Sequence, residues 1–109
     1  MRRGDIFIAV VPGDYGKPRP VLIVQNDVVN DTHASVVICP ISSHLIEAPL
    51  FRLYVLPTSE NGLSVPSQIM VDKISAIKRE RLRDQVGRIS DELLIQVNRS
   101  LAFWVGLGL

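Results

Sequence analysis

Arg19-Pro20-Val21-Leu22-Ile23-Val24-Gln25-Asn26-Asp27 is the stretch on which the architecture turns. Pro20–Gln25 is almost wholly apolar and rich in β-branched residues, the pattern of a strand buried on both faces. Asn26-Asp27 closes it, and the chain stays polar and loop-like to Ser35. Upstream, Pro12-Gly13-Asp14-Tyr15-Gly16-Lys17-Pro18 is a loop in which Gly or Pro fixes four of seven positions. Before that loop, Asp5–Val11 reads as another strand. A strand with two buried faces needs partners on both, so the rest of the chain must supply them.

Downstream, Val36–Ile41 is a third strand, followed by the polar break Ser42-Ser43-His44. Phe51–Leu56 is a fourth, Asn61-Gly62 marks a turn, Gln68–Asp72 is a fifth, and Ala76-Ile77 a short further candidate. The period then changes. Ser90-Asp91-Glu92 supplies an N-cap and two acids for the positive end of a helix dipole. Leu93, Leu94, Val97, Leu101, Trp104 and Val105 follow at helical spacing, which predicts one amphipathic helix ending near Gly106. Short strands followed by one terminal helix make a mainly β (α+β) fold, a small, strongly bent sheet or partial barrel with the helix against it. The 109 residues contain no repeat, low-complexity tract or linker, so residues 1–109 form one domain.

Composition narrows the class. Apolar residues make up 47% and charged residues 21%, the balance of a folded globule. So apolar a chain of this length is hard pressed to hide that surface alone, which favours a homo-oligomer. No apolar run approaches the ~20 residues of a membrane helix, and Ile6–Val11 is too short for a signal-peptide core. The single cysteine, Cys39, lies in a β-like run and reads as an inert buried thiol in a reducing, cytoplasmic setting. Net charge is +1, but Lys73, Lys78, Arg79, Arg81, Arg83 and Arg88 face only Glu80 and Asp84 in one segment. Nucleic-acid surfaces look like this, and so do ordinary solvated faces.

Nucleotide-cofactor loops are absent from the sequence. His33 and His44 have neither the spacing nor the cysteine partners of a zinc site, and there is no nucleophile elbow. The expected chemistry therefore uses no metal and no cofactor. Arg19 stands out because Pro18 and Pro20 stiffen the backbone on both sides of it. A guanidinium so held suits phosphate oxygens and the charge that grows on them in a transition state. The plain alternative is a surface arginine paired with Asp14 or Asp27.

Arg3-Gly4-Asp5-Ile6 followed by Arg19–Asp27 resembles the N-terminal signature of the MazF/PemK (Kid) family of toxin–antitoxin ribonucleases. The likeness continues through Pro40-Ile41-Ser42-Ser43, from Asn61-Gly62-Leu63 to Val71-Asp72, and into Val86–Leu93. It implies an SH3-like, CcdB/MazF-type barrel of five to seven strands with a C-terminal helix. It also implies a homodimer that cuts single-stranded RNA without metal, by 2′-OH attack, leaving a 2′,3′-cyclic phosphate and a 5′-OH. The partner implied is a cognate antitoxin, with no membrane and no DNA bound by the toxin alone. Carried over residue by residue, the catalytic pair is Arg19 and Ser42, the latter standing where threonine is usual. The expected RNA contacts are Lys17, Ser43, Phe51, Asp72 and Lys73. Two departures stand out. Asp72-Lys73-Ile74-Ser75-Ala76 replaces Asp-Gln-Ile-Arg-Thr and so loses an arginine, and the loop before Arg19 is shortened.

The group that takes the 2′-OH proton is left unassigned, since an arginine stays protonated. His44 has suitable chemistry, although its plainer reading is an exposed loop histidine. Two rival functions share the fold: a CcdB-like toxin that binds DNA gyrase, suggested by Phe103-Trp104-Val105-Gly106, and a catalytically degenerate binding module.

Overall fold

The computed structural model describes residues 1–108. It contains β1 (Asp5–Val10), β2 (Pro18–Ile23), β3 (Ser35–Ser42), β4 (Arg52–Val55), β5 (Ser67–Met70), β6 (Ser75–Lys78), β7 (Leu82–Arg88) and α1 (Asp91–Trp104). The strand order is β4-β5-β3-β2-β1-β7, with β6 also on β3, and every recorded pairing is antiparallel. This is the small, bent, mainly β fold with a terminal helix that the sequence leads one to expect.

The apolar run does separate two cores. Leu22 and Val24 join Ile6, Cys39, Ile41, Ile69 and Val71 in the core that α1 covers through Val97. Val21 and Ile23 face the other way, into a core with Ala9, Val36, Ile38 and Ile77. Adjacent residues of one strand thus serve opposite faces, as the period of two requires. Val24 and Gln25 lie just past β2. The Gln25 side chain takes over the pairing there, accepting from Val37 N–H and donating to Ser35 O. Burial pushes the Cys39 thiol up to about 12, as an inert core cysteine requires.

The family-like N-terminal residues are largely structural. Gly4, at φ +97°, brings the chain against the Arg88 guanidinium. Arg88 donates to the Arg3 carbonyl at 2.7 Å and to the buried Asp5 carboxylate at 3.1 Å, tying β1 to the end of β7. Arg3 donates to Val24 O and to Asn98 of α1, joining sheet to helix. Asp27 accepts from Arg3 N–H and from Asn30, and the former holds its carboxyl below the usual carboxylate range. Asp27 is thereby excluded as the partner of Arg19.

Ser90 caps α1 by accepting from Leu93 N–H at 3.1 Å. The helix ends in a Schellman motif: Gly106 N–H donates to Phe103 O and Leu107 N–H to Ala102 O, with Gly106 at φ +79°. One expectation needs correcting, and one strand goes beyond what the sequence reading proposed. The fifth strand stops at Met70, and Val71–Lys73 forms a 3₁₀ turn, so Asp72 is not a strand residue. The basic Lys73–Arg88 segment contains two strands, β6 and β7, joined by a 3₁₀ turn at Arg79–Arg81. Strand β7 is hidden in sequence because Leu82-Arg83-Asp84-Gln85-Val86-Gly87-Arg88 has almost no apolar alternation; its pairing with β1, interrupted by register shifts, holds it.

The Asn61-Gly62 turn packs on that strand, and Arg88 N–H donates to Glu60 O. A Cβ on Gly87 would lie 2.3 Å from the Asn61 carbonyl carbon, and one on Gly62 would lie 2.0 Å from Val86 O. Both obstacles are backbone. Gly87→Ala is expected to destabilise the fold by about 3 kcal/mol, from overpacking and a displaced turn. Urea denaturation checks this, and a midpoint equal to wild type contradicts it.

Candidate active site

Arg19 and Ser42 meet through strand register. Val21 pairs with Pro40 and Leu22 with Cys39, which brings the end of β2 that carries Arg19 beside the end of β3 that carries Ser42. Both line one depression of about 570 Å³, together with Asp14, His44, Arg52, Lys73 and Ser75. The segment 11–14 forms one wall, and its loop is held by backbone bonds from Asp14 N–H to Val11 O and from Lys17 N–H to Asp14 O.

Arg19 is paired with Asp14, one of the two partners the plain alternative named. Its Nε lies 2.5 Å from Asp14 Oδ2, and an Nη donates to Oδ1 at 3.1 Å. The guanidinium is therefore part-buried and oriented before any substrate arrives. Ser42 Oγ accepts from His44 N–H at 3.0 Å, which leaves the hydroxyl proton available to another acceptor. Gln68, opposite Ser42 on β5, fixes the segment beyond it by exchanging two hydrogen bonds with Ile46.

The other expected residues divide. Lys73 lines the depression, whereas Lys17 and Ser43 are exposed and do not line it. Phe51 lies elsewhere, its ring 5.2 Å from that of Trp104 at the end of α1. Asp72 sits behind the wall, gripping Arg52 with Nε–Oδ1 at 2.6 Å and Nη2–Oδ2 at 2.9 Å. Those side chains are only 11% and 13% exposed. Arg52 is the residue that sequence reading misses. It lines the same depression as Ser75, the position where the arginine of the Asp-Gln-Ile-Arg pattern is lost, so a cation reaches this wall from another strand. Nothing in the linear pattern gives this away, because Arg52 and Asp72 meet only through the pairing of Arg52 with Met70.

Hydrogen bonding to Arg52 holds the Asp72 carboxyl below the usual carboxylate range, against the opposing effect of burial. The same bond raises the affinity of Arg52 for its proton. Among the described residues no group of three or more His, Cys, Asp or Glu side chains is arranged to hold a metal ion, and no helix is long and apolar enough to cross a membrane. A depressed folded-state carboxyl stabilises the fold above its unfolded value of about 3.9, and that contribution disappears as the pH falls through the lower folded value. Asp72→Asn is expected to cost about 2 kcal/mol at pH 7 by stranding Arg52. Its deficit against wild type should shrink at pH 3, as read from urea midpoints at both pH values.

The comparisons agree with one another. The chain matches, over residues 2–105, the family model of the PemK-like, MazF-like toxins of type II toxin–antitoxin systems. A Mycolicibacterium smegmatis protein named as a probable endoribonuclease MazF is 42% identical over 108 residues, 98% of each chain. The Mycobacterium tuberculosis toxin MazF-mt6 shares the fold with a TM-score of 0.82 and 25% identity, covering 96% of this chain and 99% of that one. A mycobacterial endoribonuclease solved in complex with its cognate antitoxin superposes with a TM-score of 0.81 at 24% identity, over 100% of this chain and 98% of that one. With the family model matched over residues 2–105 and a 42% identical relative matched over 98% of each chain, the chain belongs to the PemK-like, MazF-like toxin family of type II toxin–antitoxin systems.

Proposed function

We propose that this toxin is an endoribonuclease that cuts single-stranded RNA at the depression between Arg19 and Ser42, without metal. The observation that carries the reading is a guanidinium held by Asp14 that shares one depression with the Ser42 hydroxyl, on the paired strands β2 and β3. In-line attack of a 2′-OH on the adjacent phosphorus builds charge on the phosphoryl oxygens and expels a 5′-oxygen, leaving a 2′,3′-cyclic phosphate and a 5′-OH. Arg19 donates to those oxygens, and Ser42 Oγ–H donates to one of them. Lys73 and Arg52 supply further positive charge along the wall. The polar side chains of the lining are cations, hydroxyls and His44, with Asp14 as the one carboxylate, already engaged by Arg19, so the donor set suits phosphate rather than a divalent ion. Two lining groups have a lone pair for the 2′-OH proton, Asp14 and His44. Asp14 is committed to Arg19, and the exposed imidazole of His44 is the unengaged one.

The toxin acts in the cytoplasm as a homodimer under the control of a cognate antitoxin. Leu50, Tyr54, Leu56, Ile95 and Phe103 are large apolar side chains exposed on β4, α1 and nearby loops, a surface suited to cover by another chain.

Incubation with a mixed RNA in EDTA tests the reading. Wild type is expected to give discrete fragments with cyclic-phosphate ends, and intact RNA overturns it. Arg19→Ala should lose at least about 100-fold in rate, as loss of one such donor does, with its unfolding transition kept because the side chain lies at the end of β2. His44→Gln should slow cleavage roughly 100-fold; a rate equal to wild type moves the proton acceptor to Asp14.

A further inference from the structure

One side chain near this depression has no structural role in the fold. Tyr15 is 99% exposed, more than any other large apolar or aromatic side chain among the described residues. It is also the single non-glycine residue at positive φ among the described residues, at +53°. A left-handed backbone costs a bulky residue on the order of 1 kcal/mol, and nothing that the ring packs against compensates it. A small polar residue or glycine fits that position better on fold grounds alone.

The loop presents the ring rather than leaving it to wander. Gly13 and Gly16, both at positive φ, bracket the turn. The two backbone bonds across Val11–Lys17 fix the residues on either side. Asp14, the immediate neighbour of Tyr15, is clamped to the guanidinium of Arg19. The ring therefore projects from a segment whose position is tied to the proposed catalytic arginine. Gly13 and Asp14 line the depression and Tyr15 does not, so the aromatic stands just outside the lining, with the exposed cation Lys17 two residues away.

We infer that Tyr15 is a nucleobase-stacking residue, receiving the face of a base that flanks the scissile phosphate while Arg19 and Ser42 hold the phosphate itself. This rests on the ribonuclease reading above. Single-stranded nucleic acids are gripped by this combination of a cationic track and exposed aromatic faces, and each stacked base contributes about 1–3 kcal/mol. An aromatic ring loses little rotamer freedom on stacking, and the loop's bonds and ion pair have already restricted the backbone. A phenol ring in a wholly aqueous position is stable because its hydroxyl stays hydrated while its face remains open.

The complete exposure of Tyr15 makes the test clean, since truncating it removes no packing. Cleavage sites are first mapped on a mixed RNA with wild type. An oligonucleotide spanning the most frequent site is then made with a 2′-deoxy nucleotide at the cleaved position, so that it binds without being cut. Tyr15→Ala and Tyr15→Leu are expected to weaken binding of this oligonucleotide about tenfold, whereas Tyr15→Phe and Tyr15→Trp stay within about twofold. With 2-aminopurine substituted in turn at the nucleotides flanking the cut, one position should be quenched by wild type and Tyr15→Phe but not by Tyr15→Leu. Equal binding by wild type and Tyr15→Leu, with no difference in quenching at any position, overturns the inference. So does a loss in Tyr15→Leu that Phe does not restore. If wild type cuts no RNA, the ribonuclease reading fails instead.

Discussion

The arrangement depends on a strand with no solvent face. Because β2 buries Leu22 in one core and Val21 and Ile23 in the other, it has no freedom to slide or rotate. A one-residue slip would exchange the two sets, leaving both cores mispacked. That constraint runs to the strand's open end. Arg19 stands where β2 leaves the buried region, held by the ladder to β1 through its pairing with Ala9. The rigidity of the site is thus a by-product of hydrophobic packing several residues away.

A second set of constraints is polar and lies at the opposite end of β2. Arg88, Asp5, Arg3 and Asp27 form a chain of bonds that joins β1, β7, the turn after β2 and the helix. These are the residues that make the N-terminus look like a family signature, and their work is to close the fold. Gly4 belongs with them, since its left-handed backbone and missing side chain admit the guanidinium of Arg88. A sequence motif here marks two different things: fold closure at Arg3–Asp5 and Asn26-Asp27, and the proposed chemistry at Arg19.

Both arginines of the depression are already matched by carboxylates of the chain, Arg19 by Asp14 and Arg52 by Asp72. The two pairs differ in kind. Arg52 and Asp72 are almost wholly covered and meet in a two-pronged geometry that fixes the wall. The Arg19 side chain is 30% exposed and its partner sits on a loop. On the proposed reading, a phosphate entering the depression shares or replaces the Asp14 carboxylate, so the site exchanges one anion for another at little desolvation cost. The same loop carries Tyr15, so movement of Asp14 and presentation of the ring are mechanically linked.

The sequence alone determined the parts governed by local periodicity and by residue chemistry. The doubly buried strand, the capped helix and its glycine stop and the buried cysteine are all legible in it, because each depends on neighbours within a few positions. The departures came where distant partners decide. Strand β7 forms from charged residues because β1 offers an edge, Asp72 turns out of the sheet because Arg52 holds it, and Phe51 packs on Trp104 away from the depression. Which of two acids pairs with Arg19 was likewise settled only by the fold, since Arg3 and Asn30 engage Asp27 and leave Asp14. Ion pairs and ladders between remote residues leave no period in a linear chain, and the composition of this site is made of them.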